Sequence, residues 1–269
     1  MQDSFEVAAV EDQQPVEALG THGSDEALGD RVRFGRADRR PDDLDAFAAE
    51  DGVEVSRELA VAIADQAAGS AVALDLSTIR VVKEYYAQRA AEYDATSWEA
   101  FDEAERETVE RFVASLPPGR ILDIGCGTGY LTRFLRGSVV GVDQSAEVLE
   151  LALARLPDAK LIRADVPPLP FTDDAFDLAF SSNVYSHIDT AAARAEFVAE
   201  ALRVACALVV LEQSWRPGRE REASELRRLL DGSEHRVFKR YLTADELALE
   251  LDGVGVLASA EFVAVRTPP

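Results

Sequence analysis

The stretch ILDIGCGTGYLT, residues 121–132, decides the fold. It begins as an apolar run typical of a buried strand and then places Gly125, Gly127 and Gly129 in one short turn. Glycine has no Cβ and tolerates positive φ, so a ligand can lie directly against such a backbone. A strand, a glycine-rich turn and a helix in this order are typical of the ligand-binding edge of a doubly wound sheet. We therefore predict a helix over GYLTRFLRG, residues 129–137.

Strand-like and helix-like runs alternate along the chain after residue 119, and this alternation is typical of a parallel sheet covered by helices on both faces. The last two apolar runs are separated by two residues and predict a hairpin. We expect an α/β fold: a Rossmann-like, doubly wound, mostly parallel sheet with one antiparallel strand in a C-terminal hairpin. The predicted strands are RILDIG (120–125), SVVGVD (138–143), AKLIRAD (159–165), FDLAFSS (176–182), ALVVLEQS (207–214), VGVLAS (254–259) and FVAVRT (262–267).

Helices are predicted around and between these strands from amphipathic periodicity and capping signals. The segment 77–116 reads as two helices that end before Pro117 and Pro118. The arginine-rich segment 216–240 reads as a surface helix with Glu/Arg pairs, although its positive charge could also attract an acidic substrate. The other predicted helices are SAEVLELALARL (145–156), TAAARAEFVAEALRVA (190–205) and TADELALELDG (243–253).

Composition limits the classes of function. The chain has 269 residues and a net charge of −22, from 50 acidic and 28 basic residues, which disfavours nucleic acid as a partner. The cysteines Cys126 and Cys206 have no metal-ligand spacing, so we expect neither a metal site nor a disulfide. No apolar run approaches the roughly 20 residues that span a bilayer, and the first residues do not resemble a signal peptide. We expect a cytoplasmic protein.

The N-terminal third differs from the remainder. Residues 1–75 contain 18 acidic residues, 6 arginines and no lysine, together with scattered Gly and Pro. We predict that residues 1–76 form an acidic, largely disordered extension with one helix over 53–69, and that residues 77–269 form the functional domain. An alternative is that natural translation begins downstream of Met1.

Two acidic residues follow the second and third predicted strands. Asp143 ends VVGVD, opposite the glycine turn, and its carboxylate could accept both hydroxyls of a ribose. Asp165 ends LIRAD, where a carboxylate could accept a hydrogen bond from an exocyclic amine such as that of adenine. Either residue alone is more often a helix cap or a loop acid. The dinucleotide fingerprint GxGxxG is absent, because Tyr130 stands where its third glycine would fall.

In these segments the chain resembles the class I S-adenosylmethionine-dependent methyltransferases, especially the small-molecule branch similar to quinone-biosynthesis methyltransferases. The resemblance covers roughly residues 80–266 and rests on LDIGCGTG (122–129), GVDQS (141–145) and LPFTDDAFD (169–177), in that order and spacing. It implies S-adenosyl-L-methionine as the cofactor, S-adenosyl-L-homocysteine as the product and a small molecule as the methyl acceptor.

The resemblance also implies roles for individual residues. The glycine turn would pass the methionine part of the cofactor, and Asp123 would help to hold its amino group. Asp143 would bind the ribose and Asp165 the adenine amine, while Val166 would offer a backbone N–H to the ring and Gln144 would flank it.

The resemblance also implies roles for a lid helix near the cofactor and for a histidine on the substrate side. The helix YYAQRAAEYD, residues 85–94, resembles a family lid, in which Tyr86 and Arg89 would approach the carboxylate of the cofactor. His187 lies just past the fourth strand, and an imidazole there could take a proton from the acceptor. A histidine that caps or packs at the next helix is the equally weighted alternative for His187.

Two other classes of function remain open from the sequence. A protein of this fold could bind S-adenosylmethionine without transferring its methyl group. An NAD-dependent oxidoreductase would share the fold and the ribose acid, but it would need the missing GxGxxG. The nature of the accepting atom, oxygen, nitrogen or carbon, is not determined by any motif.

Overall fold

The glycine-rich stretch begins in an interior strand of a seven-stranded sheet and continues into the turn after it. The computed structural model describes residues 84–269, so the predictions for residues 1–76 and the helix over 53–69 lie outside the described residues. The strand order is β3-β2-β1-β4-β5-β9-β8, and β6 and β7 form a separate two-stranded ribbon. The strands are β1 (Gly119–Ile124), β2 (Gly137–Asp143), β3 (Lys160–Arg163), β4 (Leu178–Ser182), β5 (Leu208–Gln213), β6 (Glu222–Arg228), β7 (Glu234–Arg240), β8 (Val254–Ala258) and β9 (Phe262–Arg266).

Six α-helices and four short 3-10 helices accompany these strands within residues 84–269. Short 3-10 helices lie at Ala90–Glu92, Trp98–Ala100, Thr132–Phe134 and Tyr185–His187. The α-helices are α1 (84–89), α2 (Tyr93–Thr96), α3 (Glu103–Ser115), α4 (Ala146–Arg155), α5 (Ala191–Val204) and α6 (Ala244–Leu251).

The pairing of the strands confirms the predicted fold class. Strand β1 pairs in parallel with both β2 and β4, and β2 and β4 extend the parallel sheet to β3 and β5. Strand β9 runs antiparallel to both β5 and β8. The sheet is therefore Rossmann-like and mostly parallel, with one antiparallel strand in the C-terminal hairpin.

Both faces of β1 are buried, which explains its unbroken apolar sequence. Leu122 and Ile124 pack into the core layer that contains Phe197 of α5. Ile121 packs on the opposite face of the sheet with Val109 of α3. Since side chains alternate along a strand, Asp123 lies on the same face as Ile121.

Three of the predicted helix starts are present with their capping side chains. Ser145 begins α4 by accepting a hydrogen bond from the backbone of Val148, and Thr190 caps α5. Thr243 and Glu246 form the expected capping box at the start of α6. Such caps satisfy backbone N–H groups that have no partner within the helix.

The predicted helix over residues 129–137 is wrong. Only Thr132–Phe134 is helical, as one 3-10 turn, and the chain is extended again at Leu135. The connection must return along β1, because Gly119 pairs with Gly137. A helix over residues 129–136 would rise about 12 Å, whereas β1 is about 20 Å long. An extended segment covers the missing distance.

The helix expected within residues 216–240 is also wrong, because this segment forms the antiparallel ribbon β6–β7. Its turn contains Asp231, which accepts hydrogen bonds from Ser233, and Gly232, whose φ is +87°. Along β6, exposed and half-buried residues alternate with a period of two. Glu/Arg pairs also stabilise neighbouring strands, so the charge pattern alone did not separate helix from ribbon.

No helix among residues 84–269 is both long enough and apolar enough to cross a membrane.

We expect Gly137→Ala to destabilise the protein strongly. Gly137 has φ of +117°, and a Cβ there would lie 2.2 Å from the carbonyl oxygen of Gly119. Strained backbone and overpacking together should cost about 2 to 5 kcal/mol, measured by urea unfolding of the full chain. Gly218→Ala is the control, because Gly218 has φ of +88° with nothing within 4 Å of a Cβ. It should cost only about 1–2 kcal/mol. Equal losses would contradict the close approach of β1 and β2.

Candidate functional site

A cavity of about 600 Å³ opens at the carboxyl ends of the central parallel strands. This position follows from the topology, because the chain turns to opposite sides of the sheet after β1 and β4. The volume falls within the range of about 300–1,000 Å³ that is usual for small-molecule sites. Its walls come from the segment after β1, the ends of β2 and β4, the loop after β3, the start of α5, and α1 and α2.

The three glycines of the turn have different surroundings. All have positive φ, at +74° for Gly125, +54° for Gly127 and +73° for Gly129. Gly125 and Gly127 line the cavity. A Cβ on Gly127 would have nothing within 4 Å, so the cavity space begins at its backbone. A Cβ on Gly129 would lie 2.7 Å from Leu156, which assigns Gly129 to packing against the end of α4.

Asp143 joins the glycine turn to the end of β2. Its Oδ2 accepts a hydrogen bond from the backbone N–H of Gly127 at 3.0 Å, and its Oδ1 accepts one from Ser145 at 2.9 Å. The carboxylate also lines the cavity. Because a carboxylate oxygen can accept more than one hydrogen bond, Asp143 can hold the turn and still accept from a ligand hydroxyl.

Asp123 lies behind the turn and is 2% exposed. Its Oδ2 accepts a hydrogen bond from Thr132 at 2.6 Å. Burial raises the pKa of Asp123 to about 7; the bond from Thr132 opposes this rise and the charge of Asp143 adds to it. Asp123 borders a small cleft that also touches Gly125 and Tyr130, so a ligand cation placed there would find a carboxyl group poised near neutral pH.

The residues expected around the base ring are only partly brought together. Gln144 and Val166 line the cavity, with Val148 and Ala164 as apolar neighbours. Asp165 is exposed and does not belong to the lining residues. The Val166 backbone therefore borders the cavity, whereas the carboxylate of Asp165 lies outside its lining.

The expected lid contributes aromatic side chains. Tyr86 and Tyr93 line the cavity, and their ring centroids lie 5.8 Å apart. Arg89 does not line it; the guanidinium instead bonds to Thr96 and lies 4.8 Å from the centre of the Tyr93 ring. Arg89 therefore orders the lid by holding two of its turns together.

His187 lies on the wall formed by the 3-10 helix after β4. Its Nε2 is 2.9 Å from the hydroxyl of Tyr86, and its Nδ1 is 2.6 Å from the carbonyl oxygen of Phe238 in β7. Burial lowers the pKa of His187 well below its usual range, and the charges of Lys239 and Arg227 lower it further. The imidazole is therefore neutral at pH 7, with its Nδ1 proton donated to Phe238.

Sequence reasoning missed an ion pair that fastens the lid. Arg155 of α4 lies 2.5 Å from Asp94 of α2, and it also donates to the carbonyl and hydroxyl oxygens of Thr128 in the glycine turn. The hydroxyl of Thr128 donates to Asp94 at 2.6 Å. The only signal in the sequence was the acid at the end of YYAQRAAEYD, which has no specific meaning until the fold brings α4 beside it.

A second missed group is the buried pair of Lys239 in β7 and Glu212 in β5. Their side chains are 3% and 1% exposed, and Nζ lies 3.6 Å from Oε2. Lys239 also donates to the hydroxyl of Ser186 at 2.7 Å. The incorrect helix prediction for residues 216–240 concealed this contact, because a helix would have left Lys239 on the surface.

The described residues fit S-adenosylmethionine. The open space at Gly127 admits a ligand against the backbone, and the carboxylate of Asp143 lies beside it. Val148, Ala164 and Val166 offer an apolar surface for a base. Among residues 84–269, no group of three or more His, Cys, Asp or Glu side chains is arranged to hold a metal ion.

Comparison with known proteins agrees with this geometry. Residues 122–207 match a family model described as a methyltransferase domain. The trans-aconitate 2-methyltransferase of Rhodopseudomonas palustris strain HaA2 is 34% identical over 109 residues, covering 36% of this chain and 43% of the relative. The malonyl-[acyl-carrier protein] O-methyltransferase of Pectobacterium atrosepticum is 32% identical over 94 residues, covering 33% and 37%. The matches thus span less than half of the length of these curated relatives.

A solved structure extends the likeness beyond the matched segment. The complex of DhpI with SAH has a TM-score of 0.58 and 26% identity, covering 71% of this chain and 98% of that protein. Its likeness includes the Rossmann-like sheet, and the same protein has also been solved with SAM and HEP. Over residues 122–207 the chain is therefore similar to a methyltransferase domain, and the likeness to a protein solved with SAH and SAM covers 71% of the chain.

Proposed function

We propose that this protein binds S-adenosylmethionine and transfers the methyl group to a small-molecule acceptor. One observation carries the proposal: a single cavity has the glycine turn and Asp143 on one wall and the Tyr86–His187 pair on another. The first wall suits a nucleoside with an adjoining charged group. The second wall leaves room for another molecule beside it. The named relatives act on trans-aconitate and on malonyl-[acyl-carrier protein]. These names support an acceptor in which the group that receives the methyl is small.

The sulfonium of the cofactor supplies an electrophilic methyl group, so the protein must mainly orient the two reactants and exclude water. Asp143 and the Gly127 backbone would fix the ribose side, and Asp123 would lie near the amino group. Tyr86 and Tyr93 cover the cavity, and the pair Asp94–Arg155 fastens this cover to the glycine turn. A net charge of −22 disfavours a nucleic acid acceptor, and the cytoplasmic location stays a prediction.

The first test is calorimetric titration of the full chain with S-adenosylmethionine and S-adenosylhomocysteine, with NAD⁺ and NADH as controls. We expect the first pair to bind and the second pair not to bind. Transfer of a labelled methyl group is then measured on a panel of small molecules. Binding of NADH alone would contradict the proposal, and tight binding without any transfer would favour a protein that only retains the cofactor.

Asp143→Ala should weaken binding of S-adenosylhomocysteine at least about tenfold. It removes charge-assisted hydrogen bonds that are worth about 1.5–3 kcal/mol each, both to the ligand and to the Gly127 backbone. Asp165→Ala is the matched comparison: we expect a smaller loss, because its exposed carboxylate is screened by water. Calorimetry measures both, and an unchanged affinity for Asp143→Ala would contradict the assignment of the ribose site.

Gly127→Ala should fold but bind the cofactor at least about tenfold more weakly. A methyl group here meets no protein atom within 4 Å and therefore occupies ligand space. Its cost in stability should match that of Gly218→Ala, about 1–2 kcal/mol, because both residues have positive φ and open surroundings. Gly218→Ala should bind normally. Equal affinities of the two variants would show that no ligand approaches Gly127.

Cofactor affinity should depend on pH through Asp123. Its raised pKa of about 7 means that the free protein holds a proton on this carboxyl group below that pH. Pairing with the ammonium of the cofactor requires the ionised form, so affinity should fall toward about tenfold per pH unit below about pH 7. Calorimetry over about pH 5.5–8 measures this slope. In Asp123→Asn, binding should be weak and the slope lost; a slope that persists in this variant would assign the proton to another group.

A further inference from the structure

The hydroxyl of Tyr86 can act toward a ligand only as a hydrogen-bond acceptor. Tyr86 and His187 both line the cavity. Nδ1 of His187 lies 2.6 Å from the Phe238 carbonyl oxygen, which can only accept, so Nδ1 carries the proton of the neutral ring. Nε2 then has a lone pair and no proton, and the Tyr86 hydroxyl at 2.9 Å donates to it. Because a phenol has one proton, the Tyr86 oxygen offers only lone pairs to a ligand.

The surroundings of this pair keep it neutral. The nitrogen atoms of His187 are bonded to a carbonyl and to a phenol, and within residues 84–269 neither of these bonds brings a carboxylate to the ring. A buried imidazolium without a counter-ion is costly, so the ring stays uncharged. Burial lowers the pKa of His187 and raises the pKa of Tyr86 well above its usual range, which agrees with a neutral pair.

A second acceptor atom at the cavity lacks a donor. Asn183 lines the cavity directly after β4, with φ of +55°, and its Nδ2 donates to Ser182 at 3.3 Å. Its Oδ1 is buried and has no hydrogen-bond partner in the described part of the chain. Buried polar atoms are nearly always paired, so this oxygen also favours a ligand that brings an N–H or O–H group.

The charges that reach the cavity are negative. Among residues 84–269, the charged side chains that line it are Asp143, Asp189 and Glu196, and no Lys or Arg side chain does so. Lys239 and Glu212 lie behind the wall, but both bond to Ser186, so their opposite charges reach the wall at one residue and largely cancel. The cavity therefore favours ligands that carry no negative charge.

We propose that the methyl acceptor is an amine that enters uncharged and donates one N–H to the Tyr86 oxygen, which turns its lone pair toward the methyl group. This inference rests on the proposed methyl transfer and specifies its substrate class. Tyr86 is a catalytic residue, because it contacts the acceptor, and His187 is a positioning residue that acts through Tyr86. These roles differ from those expected from the sequence, in which Tyr86 approached the carboxylate of the cofactor and His187 took a proton.

The reaction balances without a protein base. The nitrogen lone pair forms the new N–CH₃ bond while the S–CH₃ bond breaks and its electron pair stays on sulfur. The positive charge moves from sulfur to nitrogen and stays beside the lining carboxylates and the rings of Tyr86 and Tyr93. The ammonium product loses its extra proton to water after release.

Oxygen acceptors fit this wall less well. A carboxylate has no N–H or O–H group for Tyr86, and it would meet Asp189 and Glu196 without a cation among the described lining residues. An alcohol would have to lose a proton as it reacts, and His187 has no free nitrogen with which to take it.

The direction of the hydrogen bonds is tested by ¹⁵N NMR of the histidine rings in the full chain without added ligand. His187→Gln identifies the His187 signals by their disappearance. At neutral pH we expect a proton on Nδ1 and none on Nε2. Tyr86→Phe removes the donor and should shift the Nε2 signal. Tyr85→Phe is the matched control and should not, because Tyr85 is buried and does not line the cavity. A proton on Nε2, or a charged ring, would overturn the proposal.

Calorimetry distinguishes the acceptor from the cofactor as the partner of Tyr86. We expect Tyr86→Phe to bind S-adenosylhomocysteine with unchanged affinity, because a hydroxyl that cannot donate has nothing to offer the carboxylate of the cofactor. A loss of affinity of about tenfold or more would place the hydroxyl on the cofactor and overturn the proposal.

The acceptor class is tested with methyl-labelled S-adenosylmethionine and sets of aniline, phenol and benzoate that carry the same ring substituents. Anilines are uncharged at neutral pH, and we expect labelled N-methyl product from them alone. For the best aniline, kcat/KM should fall about tenfold in Tyr86→Phe and stay unchanged in Tyr85→Phe.

Two variants of His187 separate positioning from proton transfer. His187→Gln keeps an amide oxygen for the Tyr86 hydroxyl but cannot take a proton, so kcat/KM should stay within about threefold, whereas loss of a general base would cost about 10²–10⁴-fold. His187→Leu removes that oxygen and should match Tyr86→Phe. A loss of about 10²-fold or more in His187→Gln would make His187 the base and overturn the proposal.

Each outcome of the panel has a separate meaning. Methylation of the phenols or benzoates instead of the anilines would overturn the amine acceptor and leave the proposed function standing. Failure to bind the cofactor, or binding without product from any member, would overturn the proposed methyl transfer and this inference with it.

Discussion

Burial of β1 on both faces is the constraint on which this structure depends. Because β1 pairs in parallel with β2 and β4, its carboxyl end lies where the connections leave the sheet in opposite directions. No connection between described strands crosses the carboxyl end of β1, so this end borders open space. Around that space lie the glycine turn, the carboxylate of Asp143 and the turn after β4. The cavity is thus a consequence of strand order, and the side chains determine what it can hold.

Hydrogen bonds connect the glycine turn with both the lid and the end of β2. Asp143 holds the Gly127 backbone, while Thr128 in the same turn binds Asp94 and Arg155. The glycine turn and the lid are consequently joined by hydrogen bonds and by the ion pair Asp94–Arg155. Removal of one partner of this ion pair would leave the other charge without its counter-ion.

The ribbon β6–β7 supplies hydrogen bonds and charges next to the cavity wall that contains Tyr86 and His187. It contributes the Phe238 carbonyl that fixes the tautomer of His187, and it carries Lys239 and Arg227 into the protein. In the proposed methyl transfer the sulfonium supplies an electrophilic methyl group, so the demands on the acceptor side are mainly those of orientation. This side combines the hydrogen-bonded pair Tyr86–His187 with the nearby buried ion pair Lys239–Glu212.

The sequence by itself determined the sheet, the caps and the residues of the glycine turn, because unbroken apolar runs, Ser/Thr caps and glycines act locally. It did not determine the connection after the turn or the ribbon, because strand length and cross-strand partners decided both. Only the tertiary structure placed Gly129 in packing and Asp165 outside the lining, and only it brought Lys239 beside His187. These outcomes depend on contacts between residues far apart in the chain, and local patterns carry no information about such contacts.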